Sequence, residues 1–344
     1  MTAAPHRDGA HPPGGRAWLE STDSRCAGVG TEMGGLLSEL GKRLAERWLS
    51  LLVLPGALYL VVLAAADALG HTHPFDLPRL ADQVTAWAGA PAVKNVGGQL
   101  VLLAAVLGAA AAVGLAAQAL GALVERLWLA ADWPTWPTLL RRLTRRQVTR
   151  RRDRWEAAAR RYLPLREEAG RARALGRRTD PEERRAAHRD MTRIALERPA
   201  RPTWCGDRIQ AVAVRVERQY RLDLAAVWPH LWLTLPDTSR TEITAARETL
   251  TRASALAAWA LLYLPPAGYW WPAALISGGL ALTSATRTRA ATETYALLLE
   301  AAVRLHTPDL ARHLGMDHTG PLTPETGAEL NHLLLANSPV PVAD

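Results

Sequence analysis

The chain has 344 residues, a net charge of +8, and a composition of 49% hydrophobic and 22% charged residues that is ordinary for a globular protein. Its mean hydropathy of −0.06 conceals an uneven distribution, because strongly apolar segments alternate with strongly charged ones. The only two cysteines, Cys26 and Cys205, exclude a disulfide framework and a four-cysteine zinc site. We therefore expect neither a cofactor nor a bound metal ion.

The N-terminal third predicts a disordered tail followed by a first membrane hairpin. Residues 1–36 have scattered prolines and glycines and no apolar run, which is typical of a disordered cytoplasmic tail. Residues 37–131 are predicted to form the hairpin, with spans at about 48–66 and 96–124, both free of charged residues. The 19 residues of the first span would cover about 28 Å as a helix, close to the thickness of a hydrocarbon core.

The loop between these spans predicts a short amphipathic helix on the outer membrane surface. Its apolar residues recur at helical spacing, namely Leu77, Leu80, Ala81, Val84 and Trp87.

Residues 132–250 predict an arginine-rich, helical cytoplasmic domain. From Arg126 to Glu248 there are 28 arginines and 16 acidic residues, and cations near span ends favour the cytoplasmic side. Within it, Asp180-Pro181-Glu182-Glu183 is a helix start for a helix that runs to about Glu197. Eight arginines near the preceding span are predicted to bind anionic phospholipid headgroups: Arg141, Arg142, Arg145, Arg146, Arg150, Arg151, Arg152 and Arg154.

Two other interpretations of this arginine cluster compete with lipid binding. The charge could serve only to fix the topology and keep a helix next to the membrane in water. Nucleic-acid binding would use the same charge, but no recognised binding motif accompanies it, and we expect no nucleic-acid partner.

Residues 251–286 predict a second transmembrane hairpin that turns at Pro265 and Pro266. A single kinked span is the alternative, but it would leave Arg287 and Arg289 on the outer side, against the charge rule. The first arm is short, so the sequence leaves open whether the hairpin crosses fully or is partly re-entrant. Four aromatic residues around the turn are predicted interface anchors: Tyr263, Tyr269, Trp270 and Trp271.

Residues 287–344 predict cytoplasmic helices. An amphipathic helix continues from the last span through Tyr295 to Leu305, a second helix is predicted to start at Thr307-Pro308-Asp309 and stop at Gly315, and a third to start at Thr323-Pro324-Glu325.

One segment of the cytoplasmic domain resembles a recurrent pattern in other proteins. It comprises Pro202-Thr203, Gly206-Asp207-Arg208-Ile209, Tyr220-Arg221-Leu222-Asp223, Val227-Trp228-Pro229-His230-Leu231-Trp232 and Leu235-Pro236. This pattern resembles a group of bacterial polytopic membrane proteins common in actinobacteria. The resemblance implies two membrane hairpins around a cytoplasmic domain, and it implies no activity and no catalytic residue.

Trp228 and Trp232 lie shortly before the second predicted hairpin. We predict that they anchor the domain at the inner membrane interface, the alternative being a packed cytoplasmic core.

Together these features predict an all-α, multi-pass plasma-membrane protein with both termini in the cytoplasm. The leading functional hypothesis is a non-catalytic anchor or scaffold that contacts anionic lipid and a cytoplasmic protein. A channel-like or membrane-perturbing homo-oligomer is the second hypothesis, because Gly108, Gly114 and Gly121 permit close helix approach. The third is a membrane-associated enzyme, for which Cys205 would be the candidate nucleophile.

Overall fold

The computed structural model describes residues 53–131, 133–317 and 320–336, and all regular structure in these ranges is helical. The predicted tail at 1–36, residues 48–52 of the first predicted span and residues 337–344 lie outside them. The helices are α1 (Leu54–Leu69), α2 (Leu77–Ala88), α3 (Pro91–Lys94), α4 (Val96–Leu129), α5 (Thr138–Ala174), α6 (Pro181–Ile194), α7 (Trp204–Tyr220), α8 (Leu224–Thr234), α9 (Asp237–Leu262), α10 (Leu264–Ala267), α11 (Pro272–His313) and α12 (Pro324–Ala336).

The chain divides into two compact units. The smaller unit contains the described residues up to Ala64 and the segment Val84–Leu115. In it α1 and α4 approach closely, because a Cβ atom on Gly56 would collide with the backbone carbonyl oxygen of Ala110. The larger unit contains Ala65–Gln83 and the described residues from Ala116 onward.

α4 is the one helix in the described ranges that is long and apolar enough to cross a membrane. It has 34 residues, and its most apolar window has a mean hydropathy of 2.5. Only 17% of that window is buried. α1 is also apolar, but the described helix has 16 residues and is shorter than a full span.

α9 and α11 lie side by side and run in opposite directions. The Ser277 hydroxyl donates to the Ala260 carbonyl oxygen at 2.7 Å, and the Ser284 hydroxyl donates to the Ala253 carbonyl oxygen at 2.6 Å. The uncharged parts, residues 253–262 of α9 and 272–286 of α11, extend about 15 Å and about 22 Å. Both are shorter than the roughly 30 Å of a hydrocarbon core.

The core of the larger unit is formed mainly by α7, α8, α11 and α12. Its most enclosed residues are Val212, Val216, Val227, Leu231, Val303 and Leu330. α12 packs close to the end of α7, where a Cβ atom on Gly327 would collide with the Tyr220 carbonyl oxygen. Glycine is therefore the residue that permits this approach.

The predicted helix start at Thr307-Pro308-Asp309 is wrong, because α11 continues without a break to His313. Proline inside a helix loses one backbone hydrogen bond and costs about 3 kcal/mol. Val303 and Leu310, on either side of Pro308, are both buried in the core, and this packing holds the two halves of the helix in line. The predicted stop is present, since Gly315 adopts a φ of +82° just after the helix ends.

Candidate functional site

The end of α4 is fixed to the start of α7 by a set of backbone contacts. The Thr203 hydroxyl accepts a hydrogen bond from the Gly206 N–H at 3.1 Å and donates to the Trp128 carbonyl oxygen. The Arg201 guanidinium donates to the Leu129 carbonyl oxygen at 3.0 Å. These contacts occupy carbonyl groups that the last turn of α4 leaves without a helical partner. The last turn of α4, which belongs to the larger unit, is thus bound to the start of α7.

Gly206 has a packing role at this junction. A Cβ atom there would lie 2.7 Å from the Leu129 carbonyl oxygen and 2.9 Å from Cδ of Arg201. A larger residue would push α7 away from the end of α4.

Asp207 is the buried acceptor at the centre of the junction. One carboxylate oxygen accepts the N–H groups of Ala200 and Arg201, at 2.8 and 2.7 Å. The other accepts from the Arg151 guanidinium at 2.8 Å, and Arg151 also donates to the Ile194 carbonyl oxygen. One carboxylate therefore links α5, α7 and the segment that connects α6 to α7.

Arg208 connects α7 to α11. Its buried guanidinium forms two parallel hydrogen bonds with the Glu293 carboxylate, at 2.7 and 2.8 Å. This bidentate geometry is the strong form of an arginine–carboxylate pair. Gly206, Asp207 and Arg208 consequently connect α7 to α4, α5 and α11, respectively.

Cys205 lies in the same junction and is buried. Burial raises the pKa of its thiol above the ordinary value, and the positive charge of Arg289 only partly opposes this. The thiol is therefore protonated at neutral pH, whereas a nucleophilic cysteine requires a low pKa and access to substrate.

The eight predicted lipid-binding arginines separate into two groups. Arg151 and Arg152 form contacts within the chain. Arg151 forms an ion pair with Asp207, and Arg152 donates to the Pro199 carbonyl oxygen at 2.7 Å. The other six are exposed on α5 and form no ion pair within the described ranges: Arg141, Arg142, Arg145, Arg146, Arg150 and Arg154. We call these six residues the α5 arginine patch.

Exposed leucines accompany the α5 arginine patch. Leu139, Leu140 and Leu143 lie on the first two turns of α5. A basic, apolar surface of this kind is typical of a helix that rests on a membrane.

The predicted outer anchors gather around the α9–α11 connection. The Trp270 indole N–H donates to the Pro74 carbonyl oxygen at 3.2 Å. Trp271 makes an edge-to-face contact with Phe75, with ring centroids 5.7 Å apart. Tyr269 is exposed, whereas Tyr263 is buried within the chain. The structure thus brings the loop after α1 to the tip of the α9–α11 pair.

Trp228 and Trp232 pack against the core of the larger unit, with ring centroids 5.9 Å apart. Trp228 also lines a groove of about 690 Å³, which we call the Trp228 groove. Exposed Glu217 and Asp223 line this groove together with Arg201, so the lining has one net negative charge.

In the described part of the chain, histidine, cysteine and acidic residues nowhere gather in groups of three or more that could hold a metal ion.

The sequence alone draws attention to residues 202–236 but does not reveal which residues they contact. Arg151 and Asp207 are 56 residues apart in sequence, and Arg208 and Glu293 are 85 apart. No local pattern in the sequence indicates pairs of residues that are so far apart.

Comparison with protein-family models, with curated proteins and with solved structures finds no match to this chain.

Proposed function

We propose that this chain is an integral membrane protein that acts as a non-catalytic scaffold, with its basic domain in the cytoplasm. The uncovered apolar surface of α4 carries this proposal. A helix of that hydropathy in the core of a water-soluble protein would be mostly buried, whereas α4 has Leu100, Val101 and Leu103 more than half exposed. Large exposed apolar residues that lie together on one helix are typical of a surface that contacts a membrane or another protein.

We propose that the α9–α11 pair inserts as a second hairpin, whose short uncharged arms are accommodated by local thinning of the bilayer and by flanking side chains that extend to water. Its buried serine hydroxyls are satisfied by backbone carbonyls, as a bilayer requires of polar groups. Because Trp270 contacts Pro74, the loop after α1 and the α9–α11 connection should lie on the same side of the membrane. In this arrangement Arg252 and Arg287 lie at the cytoplasmic edge, where arginine side chains extend toward water.

The α5 arginine patch follows the end of α4 closely along the chain. We propose that it contacts anionic phospholipid headgroups, because each cation near such a surface contributes about 1 kcal/mol of attraction. Arg151 and Arg152 are left out of this surface, since their guanidinium groups are used within the chain.

For the cytoplasmic protein partner, we propose a basic segment bound in the Trp228 groove. Glu217 and Asp223 supply the opposite charge, and Trp228 supplies a large apolar contact.

Single-cysteine labelling in intact cells tests this topology. In a Cys26→Ala, Cys205→Ala background, we expect a membrane-impermeant maleimide to label Thr72→Cys and Tyr269→Cys from outside. Arg177→Cys, on the exposed end of the basic domain, should react only after lysis. Ala225→Cys in the Trp228 groove should react in purified protein and be protected in native membranes.

Two results would contradict the proposal. Labelling of Arg177→Cys in intact cells would overturn the orientation. Release of the unsubstituted chain from membranes by alkaline carbonate would overturn integral insertion itself.

A further inference from the structure

A groove of about 380 Å³ lies between the last part of α4 and the α9–α11 pair, within the larger unit. This volume lies in the range of small-ligand sites. We call it the α4 groove, and it is lined by Val124, Leu127 and Trp128 of α4, Leu261 of α9, and Ala281 and Ala285 of α11.

The lining of the α4 groove is apolar. Ser277 and Ser284 also contribute to it, but both hydroxyl groups donate to carbonyl oxygens of α9. Those two protons are therefore not offered to a polar ligand. Such a groove is suited to a hydrocarbon chain.

One end of the α4 groove is marked by an exposed cation. Arg289 follows Ala285 by four residues on α11, which is about 6 Å along the helix axis. Its guanidinium carbon lies 5.7 Å from the centre of the Trp204 ring. Within the described ranges Arg289 forms no ion pair, so its donors remain available to an anion.

Arg289 lies near the end of the groove that Trp128 lines, because both residues contact the start of α7. Trp204 directly follows Thr203, whose hydroxyl bonds the Trp128 carbonyl oxygen. An apolar groove with a guanidinium group at its cytoplasmic end is complementary to a phospholipid, in which a hydrocarbon chain is linked to a phosphate. Guanidinium groups bind phosphate through two parallel hydrogen bonds.

We propose that the α4 groove holds one acyl chain of an inner-leaflet phospholipid, whose phosphate binds Arg289. This inference rests on the proposed membrane insertion. It differs from the contact at the α5 arginine patch, because it assigns a single retained lipid to a defined groove.

Native mass spectrometry of the detergent-purified, full-length chain tests the proposal. The unsubstituted protein should retain one phospholipid per chain. Ala281→Leu places a larger side chain in the groove at an exposed position and should remove most of this lipid. Arg289→Gln should weaken lipid retention about fivefold, the effect of losing one cation at the headgroup.

Matched controls are available on the same helix. Ala274→Leu adds the same side chain outside the groove, and Arg287→Gln removes a neighbouring exposed arginine. Both should retain the lipid as the unsubstituted chain does. Equal retention in Ala281→Leu and Ala274→Leu would overturn the proposal, as would a chain that resists carbonate extraction yet carries no phospholipid. Release by carbonate would instead overturn the membrane insertion on which the proposal depends.

Discussion

Asp207 shows how one side chain can join several elements. Its carboxylate is 5% exposed and receives hydrogen bonds from two backbone N–H groups and from Arg151. A buried charge is tolerated only when its partners replace the water that it loses. Removing the carboxylate would leave a partly buried guanidinium and two N–H groups without their acceptor.

We therefore expect Asp207→Ala to lower the free energy of unfolding by about 3–5 kcal/mol. Asp153→Ala is the matched control, because Asp153 is exposed on α5 and forms no ion pair in the described ranges. It should change stability by about 0.5 kcal/mol or less. Thermal unfolding followed by circular dichroism measures both variants, and equal melting temperatures would show that Asp207 does not hold the junction.

At the scale of helices, local signals in the sequence predict the elements that begin or end at a capping residue. The Asp180 side chain accepts the Glu182 N–H at 2.9 Å, and α6 starts where that motif indicates. α2 and α4 also coincide with the predicted periodic or uncharged stretches. Local signals fail where packing between distant residues determines the structure. α11 continues through Pro308 because core residues on both sides of the proline hold the helix together.

The α5 arginine patch should make the stability of the chain depend on anionic lipid. We expect anionic phosphatidylglycerol, added to neutral phosphatidylcholine nanodiscs, to raise the melting temperature of the bound chain, because a ligand of the folded state stabilises it. The Arg142→Gln, Arg145→Gln, Arg146→Gln triple variant should lose most of this increase. Its removed cations contribute about 1 kcal/mol each.

The far end of α5 provides the control for that experiment. Arg171 and Arg173 of α5 and Arg177, three residues after its end, are exposed, and their replacement by glutamine removes the same charge. This second triple variant should keep the response to phosphatidylglycerol. If both triple variants respond alike, net charge rather than the α5 arginine patch determines the effect.

For the whole molecule, the decisive question is what covers α4. Leu103 and Leu107 are 56% and 42% exposed and lie one helical turn apart on its apolar surface. If water covered them, arginine at both positions would change stability little. If the hydrocarbon core covers them, each arginine costs about 2.5–3.5 kcal/mol of insertion free energy.

We expect the Leu103→Arg, Leu107→Arg variant to lose most of the carbonate-resistant protein that the unsubstituted chain shows in membrane pellets. Leu139→Arg, Leu143→Arg has the same spacing on α5, at positions 74% and 61% exposed. The proposal places this control pair at the membrane interface and leaves α4 intact as the span, so the control variant should remain carbonate-resistant. If the α4 variant also stays in the pellet but loses self-association, a second protein chain covers that surface. If the α4 variant instead becomes more soluble without loss of folding, α4 is a water-exposed helix and the chain is not anchored through it.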